Sequence, residues 1–283
     1  MKDDQVDVFS GLKRNPALGS PLGLEAAHED ILLKGFHIVP GHLSQARCKA
    51  ISAEIDRLEA EEIERWGKKT LSEINDLGVV RNPFLSSEEV MGVCFDRTTL
   101  DICETIFGRQ YILHVNRAVI NRSGSKHPAS TWHREPPYQQ FTTSRPISLS
   151  FVIIIDPSTP DTGGIRLLQG SHKWEGMPTD DYILRNELIP SIPAGALLVI
   201  DSALFHSNSL NNTKTRRSLV TIFTTPLIKQ QTNIARMIGS NSTILDRVSH
   251  IPEFSFLFGI ETDPFDSDDL YRRHKQETGS PIC

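Results

Sequence analysis

The sequence predicts an antiparallel β-sandwich or barrel preceded by helices, and three observations lead to this fold class. From about Leu43 to Trp66, apolar residues recur at helical spacing with charged residues between them. After Tyr111 the chain changes to short runs rich in Val, Ile and Phe, separated by turns that contain Gly or Pro. These runs do not alternate with long helical patterns, which argues against parallel βαβ units.

The helical part comes first along the chain. Residues 1–28 are polar, contain several Gly and Pro and show little periodicity, so we expect a loosely packed N-terminal arm. An apolar stretch over residues 31–39 ends at Pro40-Gly41 and precedes the long helix. A second, shorter helix is predicted for residues 87–107.

The β-rich part occupies the middle of the chain. Strand-like runs with turns between them cover residues 111–120, 146–155, 197–200 and 219–225. From residue 230 the sequence is irregular to helical. Because no linker separates these parts, we predict a single domain over residues 29–283.

Composition and charge narrow the range of partners. The chain has 283 residues, of which 38% are hydrophobic and 23% charged, as in an ordinary globular protein. A formal net charge of −5 makes nucleic acid and anionic membranes unexpected partners, because both bind basic faces. We therefore expect a small-molecule substrate and a monomer or homodimer.

Location is inferred from what the sequence lacks. There is no apolar signal region at the N-terminus and no run of 18 apolar residues, so neither secretion nor membrane insertion is expected. The four cysteines form no C-x-x-C pair, which is typical of reduced thiols rather than of a disulfide or zinc-thiolate site. The expected location is the cytoplasm.

One short segment carries metal-binding chemistry. In the sequence TWHREPPY, His133 and Glu135 are two residues apart, and alternate residues of an extended strand point to the same side. A third ligand must come from elsewhere, and His172 and His206 are the candidates. Two imidazoles and one carboxylate make up the triad of non-haem Fe(II) oxygenases, which leaves open positions on the metal.

The later residues favour His206 over His172. His206 follows the strand-like run that ends at Ile200, and Arg217 opens the next run eleven residues later. An antiparallel neighbour would return Arg217 to the metal, where a planar guanidinium can bind a distal carboxylate with two hydrogen bonds. The pattern therefore predicts a co-substrate with a second carboxylate, which 2-oxoglutarate has and pyruvate lacks.

The ordered set of motifs resembles the phytanoyl-CoA dioxygenase family of 2-oxoglutarate oxygenases. Beyond H-x-E, the later His and the Arg, four stretches agree with the family, namely residues 33–41, the W-H-R-E and P-Y-Q segments of residues 132–139, G-G followed by L-Q-G-S-H in residues 163–172, and residues 263–273. The likeness covers roughly residues 30–275. H-x-E alone is a weak signal, whereas the whole set in this order is specific.

The resemblance implies a mostly β fold with flanking helices, built on a double-stranded β-helix, a cupin-like jelly-roll. It also implies Fe(II), 2-oxoglutarate and O₂ as cofactor and co-substrates, with decarboxylation to succinate and CO₂. By position, His133, Glu135 and His206 would be the metal ligands and Arg217 would bind 2-oxoglutarate. Further contacts to the co-substrate are expected from Asn208 and from either Asn121 or Asn116.

The sequence departs from the family at the carboxylate ligand. Most members have Asp where this chain has Glu135, which adds one methylene but still supplies a carboxylate. Four residues near the ligands are expected either to contact substrate or to serve packing and surface roles: Tyr138, Gln139, Trp132 and Arg81.

The sequence therefore predicts an Fe(II)/2-oxoglutarate-dependent dioxygenase that hydroxylates a small-molecule metabolite. The alternatives are a cupin-type metal-dependent isomerase and a non-catalytic jelly-roll that binds a metal or small molecule. A carboxylate-binding Arg beside the triad favours the oxygenase, because the alternatives have no need for it. Nucleotide-binding and serine-hydrolase motifs are absent from the sequence.

Overall fold

The computed structural model describes residues 23–124, 130–135, 141–251, 253–260 and 267–278. Two compact units divide between Thr232 and Asn233. Tyr138 and Gln139, which were predicted to contact substrate, lie outside the described residues. So do residues 1–22 of the predicted N-terminal arm.

Helices dominate the first part of the first unit. They are α1 (Leu24–Leu33), α2 (Gln45–Trp66), α3 (Lys68–Glu73), α4 (Glu88–Cys94) and α5 (Arg97–Phe107). The long predicted helix is confirmed as α2, where the Ser44 hydroxyl accepts a hydrogen bond from the Arg47 amide and caps the first turn. Helix α1 begins at Leu24, inside the segment that was predicted as a polar arm.

The single helix predicted over residues 87–107 is two helices in the structure. Helix α4 ends at Cys94, and the Asp96 carboxylate then accepts a hydrogen bond from the Thr99 amide at 2.9 Å, which caps α5. An Asp that caps a helix has an extended backbone, so it interrupts an otherwise continuous apolar pattern.

Eight strands follow or interleave with these helices. They are β1 (Phe36–Val39), β2 (Val79–Arg81), β3 (Ile112–Asn121), β4 (Ser148–Ile154), β5 (Ile165–Leu167), β6 (Leu197–Asp201), β7 (His206–Asn208) and β8 (Arg216–Thr224) in the described chain. Six of them form an antiparallel sheet in the order β1-β6-β4-β8-β3-β2, and β5 pairs with β7 in a second sheet. This is the antiparallel β core with flanking helices that was predicted, although more described residues lie in helices than in strands.

The large sheet has two buried faces. One carries Phe151 and Phe223, whose rings are 5.5 Å apart, and Phe95 packs edge-on against Phe223 from the helical side. The opposite face meets the small sheet through aliphatic side chains, including Val152, Ile165 and Val220. Side chains alternate between these faces along each strand, so every second residue of β3, β4 and β8 points into the space between the sheets.

Short helices complete the described chain. Helix α6 (Asp180–Asn186) belongs to the first unit. The second unit consists of α7 (Ile234–Gly239), α8 (Ser242–Val248), α9 (Phe254–Leu257) and α10 (Asp268–Thr278), which agrees with the helical tail expected from the sequence. Among the described helices, none combines the length and apolar character needed to cross a membrane. The cytoplasmic location and the oligomeric state stay predictions.

Candidate metal centre

The backbone brings the three predicted ligands together. Residue 133 forms an antiparallel bridge with His206, the first residue of β7, through amide-to-carbonyl hydrogen bonds of 3.0 and 3.1 Å. The Glu135 amide donates to the Ser202 carbonyl at 2.8 Å. The two imidazole rings are 4.4 Å apart between centroids, and His133 Nε2 lies 4.0 Å from Glu135 Oε1. One face of a short backbone ladder therefore presents two imidazoles and a carboxylate.

Backbone carbonyls orient both imidazoles. His133 donates from Nδ1 to the Thr131 carbonyl at 2.8 Å, and His206 donates from Nδ1 to the Leu204 carbonyl at 2.8 Å. A ring that donates through Nδ1 keeps the Nε2 lone pair available for a metal. Burial, with a contribution from the neighbouring His133, lowers the pKa of His206 to about 4. The His206 ring is therefore neutral near pH 7, as a metal ligand must be.

The carboxylate of the candidate ligand Glu135 lies beside a positively charged side chain. Glu135 Oε1 accepts a hydrogen bond from Arg117 Nη2 at 2.6 Å. Burial alone would raise the pKa of Glu135, but the charge and hydrogen bond of Arg117, helped by the two histidines, lower it below its ordinary value. The carboxylate is consequently ionised at neutral pH.

The donor set fits iron(II). Two imidazoles and one carboxylate on a single face leave other positions open for a bidentate 2-oxo acid and O₂. In the described part of the chain, no three His, Cys, Asp or Glu side chains already converge on one metal-sized point. Neighbouring ligands of one metal lie about 3 Å apart, so the 4.0 Å between His133 and Glu135 must close slightly when a metal binds.

The triad lines a cavity of about 310 Å³ that also receives residues from both sheets. Apolar side chains form much of its wall: Val79, Val119, Val152, Ile165, Ile200 and Val220. Its remaining polar lining includes Ser150, Ser218, Asn208 and Arg216. A cavity of this size and composition suits small ligands held by a few polar groups.

The predicted co-substrate residue, Arg217, does not reach this cavity. Its Nε donates to Asp56 at 2.7 Å and its Nη1 donates to Asp156 at 2.9 Å, on the other side of β8. The inward-pointing residues of β8 are Arg216, Ser218 and Val220. The structure therefore does not bring Arg217 to the site, and the neighbouring Arg216 faces the cavity instead, because a shift of one along a strand moves a side chain to the opposite face.

Arg216 is one of the most deeply buried side chains in the first unit. Its Nη2 donates to Asn208 Oδ1 at 2.9 Å and its Nε donates to the Thr162 carbonyl at 3.2 Å. No carboxylate of the described residues forms an ion pair with it, and burial lowers its pKa to about 10. A buried cation that is paired only with neutral oxygens would be stabilised by an anionic ligand.

The three predicted Asn residues have different positions. Asn208 lines the cavity and holds Arg216. Asn121 is the register partner of Arg216 on β3 and is buried, but it does not line the cavity, and its side-chain amide has no hydrogen-bond partner within the described residues. Asn116 points to the opposite face, where its amide donates to Thr221 at 3.0 Å. The structure therefore does not bring Asn116 to the site, because it lies an odd number of residues from Arg117 and Val119 on β3.

Two predicted pocket residues can also be placed. Arg81 lines the cavity, but its guanidinium is paired with Asp76 through contacts of 2.7 and 2.5 Å. Trp132 packs beneath the Arg166 guanidinium, 4.8 Å from the ring centroid, and does not line the cavity. His172, the rejected third ligand, is buried and donates to the Leu32 carbonyl at 3.1 Å, also outside the cavity.

The sequence interpretation missed Arg117, which lies beside the triad. It occupies an inward position of β3 between Val115 and Val119, both of which belong to the aliphatic core. A charged residue at a position of a strand where the alternate residues are apolar indicates a functional side chain. The sequence shows this pattern, because Arg117 stands between Val115 and Val119.

The fold and the donor set fit an iron- and 2-oxoglutarate-dependent oxygenase. Comparison with known proteins then gives the family. The sequence matches the phytanoyl-CoA dioxygenase (PhyH) family over residues 32–219, and the chain belongs to this family.

Individual relatives agree with this membership. An uncharacterized protein of Mycobacterium tuberculosis, Rv1501, is 26% identical over 220 residues, which cover 76% of this chain and 81% of that protein. The iron/alpha-ketoglutarate-dependent dioxygenase ausU of Aspergillus calidoustus is 29% identical over 132 residues, 43% of either chain. The epimerase SnoN, solved with Fe3+, alpha ketoglutarate and nogalamycin RO, has the same fold at a TM-score of 0.58 and 19% identity, covering 76% of this chain and 89% of that one.

Proposed function

We propose that this chain hydroxylates a C–H bond of a small-molecule metabolite, with His133, Glu135 and His206 as iron ligands. In this proposal Arg216, rather than Arg217, binds the distal carboxylate of 2-oxoglutarate. The observation that carries it is the buried Arg216 guanidinium, which lines the same cavity as the triad and has no carboxylate partner in the described residues.

In the proposed reaction, the metal and the protein side chains have separate roles. Bound iron(II) would activate O₂, using electrons from the decarboxylation of 2-oxoglutarate to succinate and CO₂, and so oxidise the C–H bond. Arg216 would bind and orient the co-substrate, and Asn208 would hold Arg216 in place through the 2.9 Å hydrogen bond. The aliphatic walls would exclude water from the reacting groups.

The cavity also supports a small substrate. Its volume of about 310 Å³ must accommodate the co-substrate as well as the reacting part of the substrate. A metal-dependent isomerase or a non-catalytic binding jelly-roll would have no need for a buried cation in the cavity lining. Arg216 therefore favours the oxygenase over both alternatives.

The test compares two adjacent arginines. Anaerobic Fe(II) protein is titrated with 2-oxoglutarate, and the visible charge-transfer band gives the dissociation constant. R216M should raise this constant at least tenfold, because a charge-assisted double hydrogen bond contributes about 1.4 kcal/mol or more. R217M should bind 2-oxoglutarate like the wild type, since its guanidinium pairs with Asp56 and Asp156 instead.

The same samples are then exposed to air, and succinate is measured without added substrate. Wild type and R217M should produce succinate slowly, and H206A should produce none. The proposal is overturned if fully metallated wild type shows neither the band nor succinate. The Arg216 assignment fails if R217M, and not R216M, loses the co-substrate.

A further inference from the structure

The inward face of β3 places a cation directly beside a predicted metal ligand. Arg117 Nη2 lies 2.6 Å from Glu135 Oε1, and the Arg117 side chain is 24% exposed. Its Nε is buried and has no hydrogen-bond partner among the described residues. The contact with Glu135 is thus the principal polar contact of this guanidinium in the described structure.

The length of Glu135 matters for this contact. Its backbone is fixed by the 2.8 Å hydrogen bond from its amide to the Ser202 carbonyl, so the reach of its carboxylate depends on its side chain. The glutamate carboxylate meets Arg117 while remaining 4.0 Å from His133 Nε2. An Asp, which the resembled family usually has here, is one methylene shorter, so we expect its carboxylate to reach less far from this backbone position.

We infer that Glu135 and Arg117 are a matched pair, in which Arg117 is a positioning residue for the carboxylate ligand. Arg117 holds Oε1, the carboxylate oxygen that also lies 4.0 Å from His133 Nε2, and so would keep the longer and more flexible side chain of Glu135 directed toward the two histidines. The inference rests on the proposed function, because it assumes that Glu135 is a ligand. It explains why this chain can use Glu where Asp is usual.

A direct role of Arg117 in binding substrate is the competing explanation. Arg117 is already neutralised by Glu135, and a substrate anion would have to compete with a carboxylate at 2.6 Å. Arg81, its register partner on β2, is likewise neutralised by Asp76. Arg117 and Arg81, two of the three arginines that line the cavity, thus have internal carboxylate partners, which favours positioning over substrate capture for Arg117.

The inference is tested by a double-mutant cycle with Co(II), a stable substitute for Fe(II). Isothermal titration gives the Co(II) dissociation constant for wild type, E135D, R117M and the double variant. E135D should weaken binding at least tenfold when Arg117 is present, because the shorter carboxylate is drawn either to Arg117 or to the metal. In the R117M background, E135D should raise the Co(II) dissociation constant less than threefold, because no guanidinium competes for the carboxylate.

A spectroscopic readout separates positioning from general electrostatics. The d–d absorption bands of the Co(II) protein report the number and geometry of its ligands, so R117M should shift them. R81M is the matched control. It also removes a cation that lines the cavity, but this cation contacts Asp76 and not a predicted metal ligand. R117K keeps a positive charge and a hydrogen-bond donor. In the R117K background, the loss of Co(II) affinity caused by E135D should therefore lie between the losses in the wild-type and R117M backgrounds.

The outcomes are distinguishable. An equal E135D penalty in both backgrounds, or equal band shifts in R81M and R117M, overturns the inference. If R117M does not fold, the comparison of R117K with wild type decides in the same way. If wild type does not bind Co(II), or if H133A binds it equally well, the proposed function fails instead.

Discussion

The Arg134 guanidinium lies over the ring of Phe205, with 4.0 Å between Cζ and the ring centroid. Arg134 separates the predicted ligands His133 and Glu135, and Phe205 immediately precedes His206. The guanidinium also donates to the carbonyls of Ser171, at 3.0 Å, and of Trp174. A single side chain thus joins both ligand segments behind the metal face.

Replacing Arg134 with Met should loosen the candidate metal centre. We expect Co(II) affinity to fall at least tenfold and the free energy of unfolding to fall by about 2–4 kcal/mol, because buried carbonyls lose their donors and the stacking is lost. Isothermal titration and urea denaturation measure the two effects.

Arg166 provides the control for this prediction. It lies over Trp132, next to His133, but it pairs with Glu187 and does not join the two ligand segments. R166M should keep Co(II) affinity within about threefold of wild type. Equal losses of affinity in R134M and R166M would contradict the proposed role of Arg134.

Asp201, at the end of β6, should make stability depend on pH. Burial raises its pKa from the ordinary 3.8 to about 6, although its Oδ1 accepts a hydrogen bond from the Ala203 amide at 3.0 Å. The folded state therefore binds more protons than the unfolded state between about pH 4 and 6, and Asp201 destabilises the fold above that range. As the pH falls from 7.5 to 4, the destabilisation that Asp201 causes should decrease by about 2 kcal/mol.

The measurement is urea denaturation of wild type and D201N, both without metal, at several values between pH 4 and 7.5. Asn cannot ionise but can still accept the Ala203 hydrogen bond. D201N should gain stability relative to wild type as the pH rises through 6. A difference that does not change with pH would show that Asp201 has no raised pKa.

Gly195 should be essential for the turn before β6. It has a φ of +85°, and an added Cβ would lie 2.2 Å from the Leu43 carbonyl oxygen. That oxygen belongs to the backbone, so it cannot move aside as a flexible side chain would. G195A should therefore destabilise the fold by about 2 kcal/mol or more in thermal or chemical denaturation. G176A, where an added Cβ meets nothing within 4 Å, should change stability by less than about 1 kcal/mol.

Much of the fold and of the donor set could be predicted because long periodic segments and i, i+2 spacing are local properties. The helical spacing of apolar residues predicted the start of α2 to within two residues. The alternation after Tyr111 predicted the position of β3. Strands β5 and β7 have three residues each, too few to show a period, although β7 begins with His206. Arg216 and Arg217 are both plausible inward residues until the register of β8 with β3 is known.

His206 and His172 were the two candidates for the third ligand, and exchanging each for Ala distinguishes their roles. His206 shares a backbone bridge with His133 and lines the cavity, so H206A should abolish Co(II) binding with little loss of stability. His172 donates to the Leu32 carbonyl and packs against the α-carbon of Gly35. H172A should therefore lower the free energy of unfolding by about 1–3 kcal/mol while Co(II) binding persists. Isothermal titration on the folded variants at neutral pH, with unfolding curves on the same samples, gives both quantities. Loss of Co(II) binding in H172A but not in H206A would reverse the assignment, and it would place the metal outside the cavity that holds Arg216.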